Sequence, residues 1–139
     1  MTVAAFLDTN ILIYAASRLK TDARKRKLAA ELIASAEFGT SGQVLAEFYV
    51  TVTRKGSAPM SPVEALAWIE QLEQQSCVAI DAMIVKRGIE ISALHRISYW
   101  DAAIVAAAEA LGATTLFTED LNHGQEYGTI RAINPFLSA

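Results

Sequence analysis

Short apolar runs alternating with helical segments constrain this chain more than any other feature of its sequence. "TVAAFLD" (2–8), "CVAID" (77–81), "TTLFTED" (114–120) and "IRAINPF" (130–136) read as strands, and "EFGTSG" (37–42) as a shorter one. Between them, "TNILIYAAS", "ARKRKLAAELIASA", "GQVLAEFYVTVTRK", "SPVEALAWIEQLEQQ", "AMIVKRGIEISALHR" and "YWDAAIVAAAEALG" read as helices. One start is well marked: Ser61, Pro62 and Glu64 combine a capping-box pattern with proline at the first helical position. Strands separated by helices imply parallel pairing. The expected fold is therefore α/β, a central five-stranded parallel sheet with helices on both faces (α/β/α). Ala102, Ala103, Ala106, Ala107 and Ala108 are small enough to let the last helix lie close to that sheet.

The 139 residues suffice for one domain, residues 1–139, with a full core and no need of disulfides or a structural metal. "RKGSAPMSP" is too short to separate domains. Cys77 is the single cysteine and sits in an apolar stretch, so it reads as a core thiol in a reducing compartment. The first residues show no basic leader, and no uncharged apolar run approaches the roughly 20 residues of a membrane helix. A cytoplasmic protein with no membrane association is expected. The apolar content, 53% with a mean hydropathy of +0.27, hints at surface covered by another chain. A net charge of −3 argues against a uniformly nucleic-acid-binding surface. The charge is nevertheless uneven, for six of the twelve basic residues (Arg18, Lys20, Arg24, Lys25, Arg26, Lys27) fall in one stretch opposed only by Asp22.

Open parallel sheets place their sites outside the carboxyl ends of the strands. Four acids are placed to meet there. Asp8 ends the first strand, Asp120 ends the fourth, Asp101 opens the alanine-rich helix, and Glu47 lies on the helix after the second strand. Taken singly, each has a structural reading. Asp8 or Thr9 caps a short helix, Ser98 and Asp101 match a capping-box spacing, Asp120 precedes the turn-like "LNHG", and Glu47 is a solvated helix residue. Together these readings fare worse, because two carboxylates about 4 Å apart repel by roughly 4 kcal/mol at an effective dielectric near 20, more than a cap contributes. A divalent cation reverses that sign. Oxygen-only ligands suit Mg²⁺ or Mn²⁺, and no cysteine and histidine set with zinc spacing exists.

The order and content of these motifs resemble the PIN-domain metal-dependent ribonucleases, in particular the VapC-type toxins of bacterial toxin-antitoxin pairs. "FLDTNILIYA", "VLAEFY", "ISYWDAAIVAAA" and "LFTEDLNHGQ" look like the family's four motifs in sequence, and the resemblance covers nearly the whole chain. It implies that Asp8, Glu47, Asp101 and Asp120 are the catalytic, metal-holding acids, and that Thr9, Asn10 and Thr118 orient them. Glu119 competes with Asp120 for the fourth place. Alternation along the strand, which points Thr118 and Asp120 the same way, favours Asp120. The implied reaction is endonucleolytic hydrolysis of RNA by a metal-activated water, leaving a 5′-phosphate and a 3′-hydroxyl. The implied partners are the RNA substrate, a cognate antitoxin and a second copy in a homodimer.

Arg24, Lys25, Arg26 and Lys27 are candidates for RNA phosphate contacts, with a solvated helix face as the alternative. His123 in the fourth motif is a further candidate, against a surface-loop role. Tyr99, Trp100, Phe48 and Tyr49 flank two of the acids and either stack on bases or pack against the sheet. A metal-free ribonuclease would want two positioned acid-base groups, whereas only His95 and His123 are present, and His95 lies at a helix end. A signalling receiver would pair a phosphoacceptor such as Asp81 with a lysine that "TIRAINPF" lacks, and a haloacid-dehalogenase-like phosphatase would want Asp where Asn10 stands. The remaining alternative is a catalytically silent PIN module that binds RNA or protein.

Overall fold

In the computed structural model, which describes residues 3–35, 37–54 and 59–137, the strands join one sheet in the order β3-β2-β1-β4-β6-β5. The strands are β1 (Ala5–Leu7), β2 (Phe38–Ser41), β3 (Ser76–Val78), β4 (Thr115–Phe117), β5 (Glu126–Tyr127) and β6 (Ile130–Ile133). The helices are α1 (Thr9–Ala16), α2 (Ala23–Ser35), α3 (Gly42–Val52), α4 (Pro62–Leu72), α5 (Ala82–His95) and α6 (Tyr99–Ala110). A single 3-10 turn covers Lys20–Asp22.

The five expected strands are present and pair in parallel. A sixth, β5, was not expected and runs antiparallel to β6. Its two-residue loop opens on Gly128, whose φ of 64° suits a tight hairpin, and Glu126 faces Arg131 across the register with an ion pair of 2.6 Å. Gly128 between Tyr127 and Ile130 was the available signal for this hairpin.

Ala5, Phe6 and Leu7 are all buried, and because successive strand side chains point to opposite faces, the sheet is covered on both. Position in the sheet explains the one misread core residue. β3 lies at the sheet edge, so Cys77 is exposed rather than a core thiol.

Helix α1 packs against α2 and α3, α3 against α4, and α6 against α5, β2 and β6. In α6 every residue from Ala102 to Ala108 is buried, the pattern of a helix enclosed on all sides. Close approach is helped by Gly88 of α5. A Cβ there would stand 3.1 Å from the Tyr99 ring and 3.4 Å from the Ala103 Cα. Ser61 accepts from the Glu64 backbone N–H at 3.2 Å, as its capping pattern predicts. Of the linker-like stretch, residues 55–58 lie outside the described residues, while Met60 is buried and donates its N–H to the Val52 carbonyl at 2.7 Å. Among the described residues no helix is long and apolar enough to cross a membrane.

Candidate active site

The chain runs outward from β1 to β2 and β3, then returns to β4 on the other flank of β1. The carboxyl ends of β1 and β4 therefore flank the point where strand order reverses, the customary crevice of an open α/β sheet. Backbone pairing continues past both strands, with the Asp8 N–H on the Phe117 carbonyl and the Thr118 N–H on the Ile133 carbonyl, each at 3.0 Å. Those two bonds deliver Asp8 and Thr118 to the same edge.

Asp8 is 5% exposed and uses both oxygens. Oδ1 accepts from the Thr9 backbone N–H at 2.7 Å, the cap expected for α1, and Oδ2 accepts from the Thr118 hydroxyl at 2.7 Å. Burial nevertheless pushes its carboxyl up to about 6 against those two bonds, and the charges of Asp120 and Glu47 push the same way. Asn10 spans the edge. Its Nδ2 donates to Asp120 Oδ2 at 3.0 Å and to the Thr118 hydroxyl at 3.4 Å, and its Oδ1 accepts from the Glu119 N–H at 3.4 Å. Thr118 also accepts from the Asp120 N–H at 3.1 Å. Burial raises the Asp120 carboxyl too, with Asp101, Glu119 and Glu47 adding repulsion and Asn10 opposing it.

Glu47 is exposed on α3, where Ser41 caps the helix start. It accepts from the Thr9 hydroxyl at 3.4 Å and from Gln43 Nε2 at 2.8 Å. Asp101 lies in the first turn of α6, its N–H capped by Ser98 at 3.1 Å. No hydrogen bond ties its side chain to the other acids; its charge reaches Asp120. Asp8, Glu47 and Asp120 are thus linked through Thr9, Asn10 and Thr118, and Asp101 lies within reach of Asp120 by charge alone. Among the described residues no lysine or arginine pairs with any of the four acids.

That donor set fits a hard divalent ion in chemistry: carboxylate oxygens only, one of them buried, mutually repelling and without a compensating cation. It is open rather than cage-like. Among the described residues no three acidic, histidine or cysteine side chains converge tightly enough to enclose an ion as they stand. An ion that keeps several of its waters suits such an arrangement.

Residues 5–125 of the sequence match the family model described as PIN domain. The chain belongs to the PIN domain family. Solved structures agree in fold. The protein is 23% identical to VapC20 of Mycobacterium tuberculosis, a sarcin-ricin loop cleaving toxin, with 84% of this chain and 92% of that one covered at a TM-score of 0.67. A toxin-antitoxin complex from Klebsiella pneumoniae aligns over 96% and 98% of the two chains at 18% identity and a TM-score of 0.68. The DNA-bound VapBC of Salmonella typhimurium does so over 94% and 97% at 20% identity and a TM-score of 0.64. No curated protein matches this PIN domain in sequence.

The basic run is less free than its sequence suggests. Lys25 binds Glu119 at 2.8 Å and the Tyr14 hydroxyl at 3.2 Å, and Arg26 donates to the Ser17 and Leu19 carbonyls at 3.0 and 3.1 Å, bracing the loop after α1. Arg24 and Lys27 remain exposed. The His123 Nδ1 accepts from the Asn134 N–H at 2.9 Å, and His95 packs edge-on to Tyr127 at 5.1 Å. Of the four aromatics, Phe48 is buried in the core, whereas Trp100 is 66% exposed. An open pocket of about 440 Å³ is lined by Gln43, Ala46, Glu47, Tyr99 and Trp100, and the Gln43 Nε2 donates to the Trp100 carbonyl at 3.3 Å. Sequence reasoning missed Gln43, although its position one helical turn before Glu47 was a signal.

Proposed function

We propose that this PIN domain is a divalent-metal-dependent endoribonuclease and the toxin of a toxin-antitoxin pair. One observation carries the reading: a buried carboxylate, Asp8, held ionisable at the switch point of the sheet among three further acids, with no lysine or arginine paired to any of them among the described residues. Mg²⁺ or Mn²⁺, when bound, would supply the Lewis acidity and the lowered water pKa that phosphodiester hydrolysis at neutral pH requires. Asp8, Glu47, Asp101 and Asp120 would hold it.

The rest is the work of the chain. Thr118 and the Thr9 N–H fix the Asp8 carboxylate in one orientation, and Asn10 does the same for Asp120. Burial makes Asp8 a strong ligand, because a carboxylate stripped of water gains more from a cation than a solvated one does. Of the four basic candidates on α2, Arg24 and Lys27 are exposed and would follow RNA phosphates. Exposed apolar side chains such as Val63 on α4 and Met83 on α5 are surface that an antitoxin or a second copy would cover. The fold neighbours titled as complexes of toxin and antitoxin support the antitoxin as partner.

The test is cleavage of total RNA by the purified domain with Mn²⁺, beside Asp8→Asn and excess EDTA. Expected are 5′-phosphate and 3′-hydroxyl ends, lost in both controls. Cyclic 2′,3′-phosphate ends, or equal cleavage by Asp8→Asn, would overturn the proposal.

A further inference from the structure

Glu119 and Asp120 are consecutive, yet their carboxylates take opposite directions. Asp120 turns with Thr118 toward Asn10. Glu119 turns away, and both of its oxygens are occupied: Oε1 accepts from the Tyr14 hydroxyl at 2.6 Å and Oε2 from Lys25 Nζ at 2.8 Å. The ammonium of Lys25 also lies 4.5 Å from the Tyr14 ring centroid and 5.3 Å from that of Phe136, and those two rings meet edge-to-face at 5.1 Å. Two separate helices, α1 through Tyr14 and α2 through Lys25, thus meet on one carboxylate, with Phe136 packed behind both donors. A partly exposed ion pair contributes little, which makes stability a weak reason for tying down both oxygens.

Position supplies a stronger one. Glu119 is close enough for its charge to act on Asp120, and its side chain is one methylene longer. Released, it would swing toward the acids as a fifth carboxylate. We propose that Tyr14 and Lys25 are positioning residues that hold Glu119 out of the acidic group, leaving Asp120 as the only carboxylate that the end of β4 presents to a bound ion. This rests on the metal-site reading above.

The test is Mn²⁺ binding by calorimetry, with no turnover involved, on the wild type, Tyr14→Phe, Lys25→Met, Glu119→Gln and the two double variants that combine Glu119→Gln with each of the first two. Tyr14→Phe leaves the net charge unchanged, so long-range charge alone predicts no effect. Release of Glu119 predicts binding roughly threefold tighter, the scale of one more partly exposed carboxylate facing a cation. Lys25→Met should tighten it further, and Glu119→Gln should cancel the gain in both backgrounds. Wild-type affinity in Tyr14→Phe, or a change that Glu119→Gln leaves in place, overturns the inference. Asp8→Asn keeps the two readings apart: if it binds Mn²⁺ as the wild type does, the metal site itself fails.

Discussion

Asp8→Asn should stabilise the metal-free protein, and only above the acid range. In the folded chain the Asp8 carboxyl is raised from 3.8 to about 6, chiefly by burial. The native state therefore holds a proton that the unfolded chain releases more readily, and stability falls as pH rises between these two values. Below about pH 4 Asp8 is protonated in both states and the penalty is absent. Above pH 6 it is fully developed, at about 1.4 kcal/mol for each tenfold change in acidity, or about 3 kcal/mol in all. Asparagine keeps the shape without the charge. It also offers one acceptor where Asp8 uses two, toward the Thr9 N–H and the Thr118 hydroxyl, which returns about 1 kcal/mol.

The variant should accordingly exceed the wild type by about 2 kcal/mol in EDTA near pH 7.5, roughly 6 °C in Tm, and lose that advantage near pH 4. Urea unfolding of both proteins across this range is the assay. Groups that do not act on Asp8 cancel in the difference, and the repulsion from Asp120 and Glu47 is already contained in its raised carboxyl. Saturating Mn²⁺ should then stabilise the wild type and leave the variant unmoved. A difference between the two proteins that is the same at both ends of the pH range would refute the argument from burial.

Thr40 Oγ1 is fully buried and has no hydrogen-bond partner among the described residues, so Thr40→Val, which keeps the shape, should raise stability in urea unfolding by about 1–2 kcal/mol. A loss would show that the hydroxyl is satisfied. Gly88→Val places methyl groups against Tyr99 and the Ala103 backbone, and should cost about 1–3 kcal/mol in the same assay. Joint replacement of Arg24 and Lys27 by glutamine should flatten the salt dependence of RNA binding by about 1.4 in log–log slope, about 0.7 for each phosphate no longer neutralised. An unchanged slope would make them a solvated helix face.

Much of the fold was legible because its signals are local. The apolar run 5–7, the caps at Ser61 and Ser98 and the seven-residue apolar core of α6 each follow from neighbouring residues. What was not legible depends on which elements become neighbours. "SCV" is as apolar as a central strand, yet strand order puts β3 at the edge and Cys77 in solvent. Lys25 and Arg26 look like free cations until the fold brings Glu119 and the α1 loop carbonyls to them. At the candidate site, the period-two rule indicated that Thr118 and Asp120 share a side, and both meet Asn10. That the excluded Glu119 would find two donors of its own was beyond any rule of spacing.

The bond from Thr118 to Asp8 closes a span of 110 residues. Long-range pairings of this kind form late, after the entropy of closing the intervening chain has been overcome. The four carboxylates therefore exist as a set only once β4 has docked beside β1, and a nascent or partly unfolded chain carries the acids scattered on separate segments. Whatever chemistry the finished site holds, a growing chain acquires it only after synthesis has passed Asp120 and the sheet has closed.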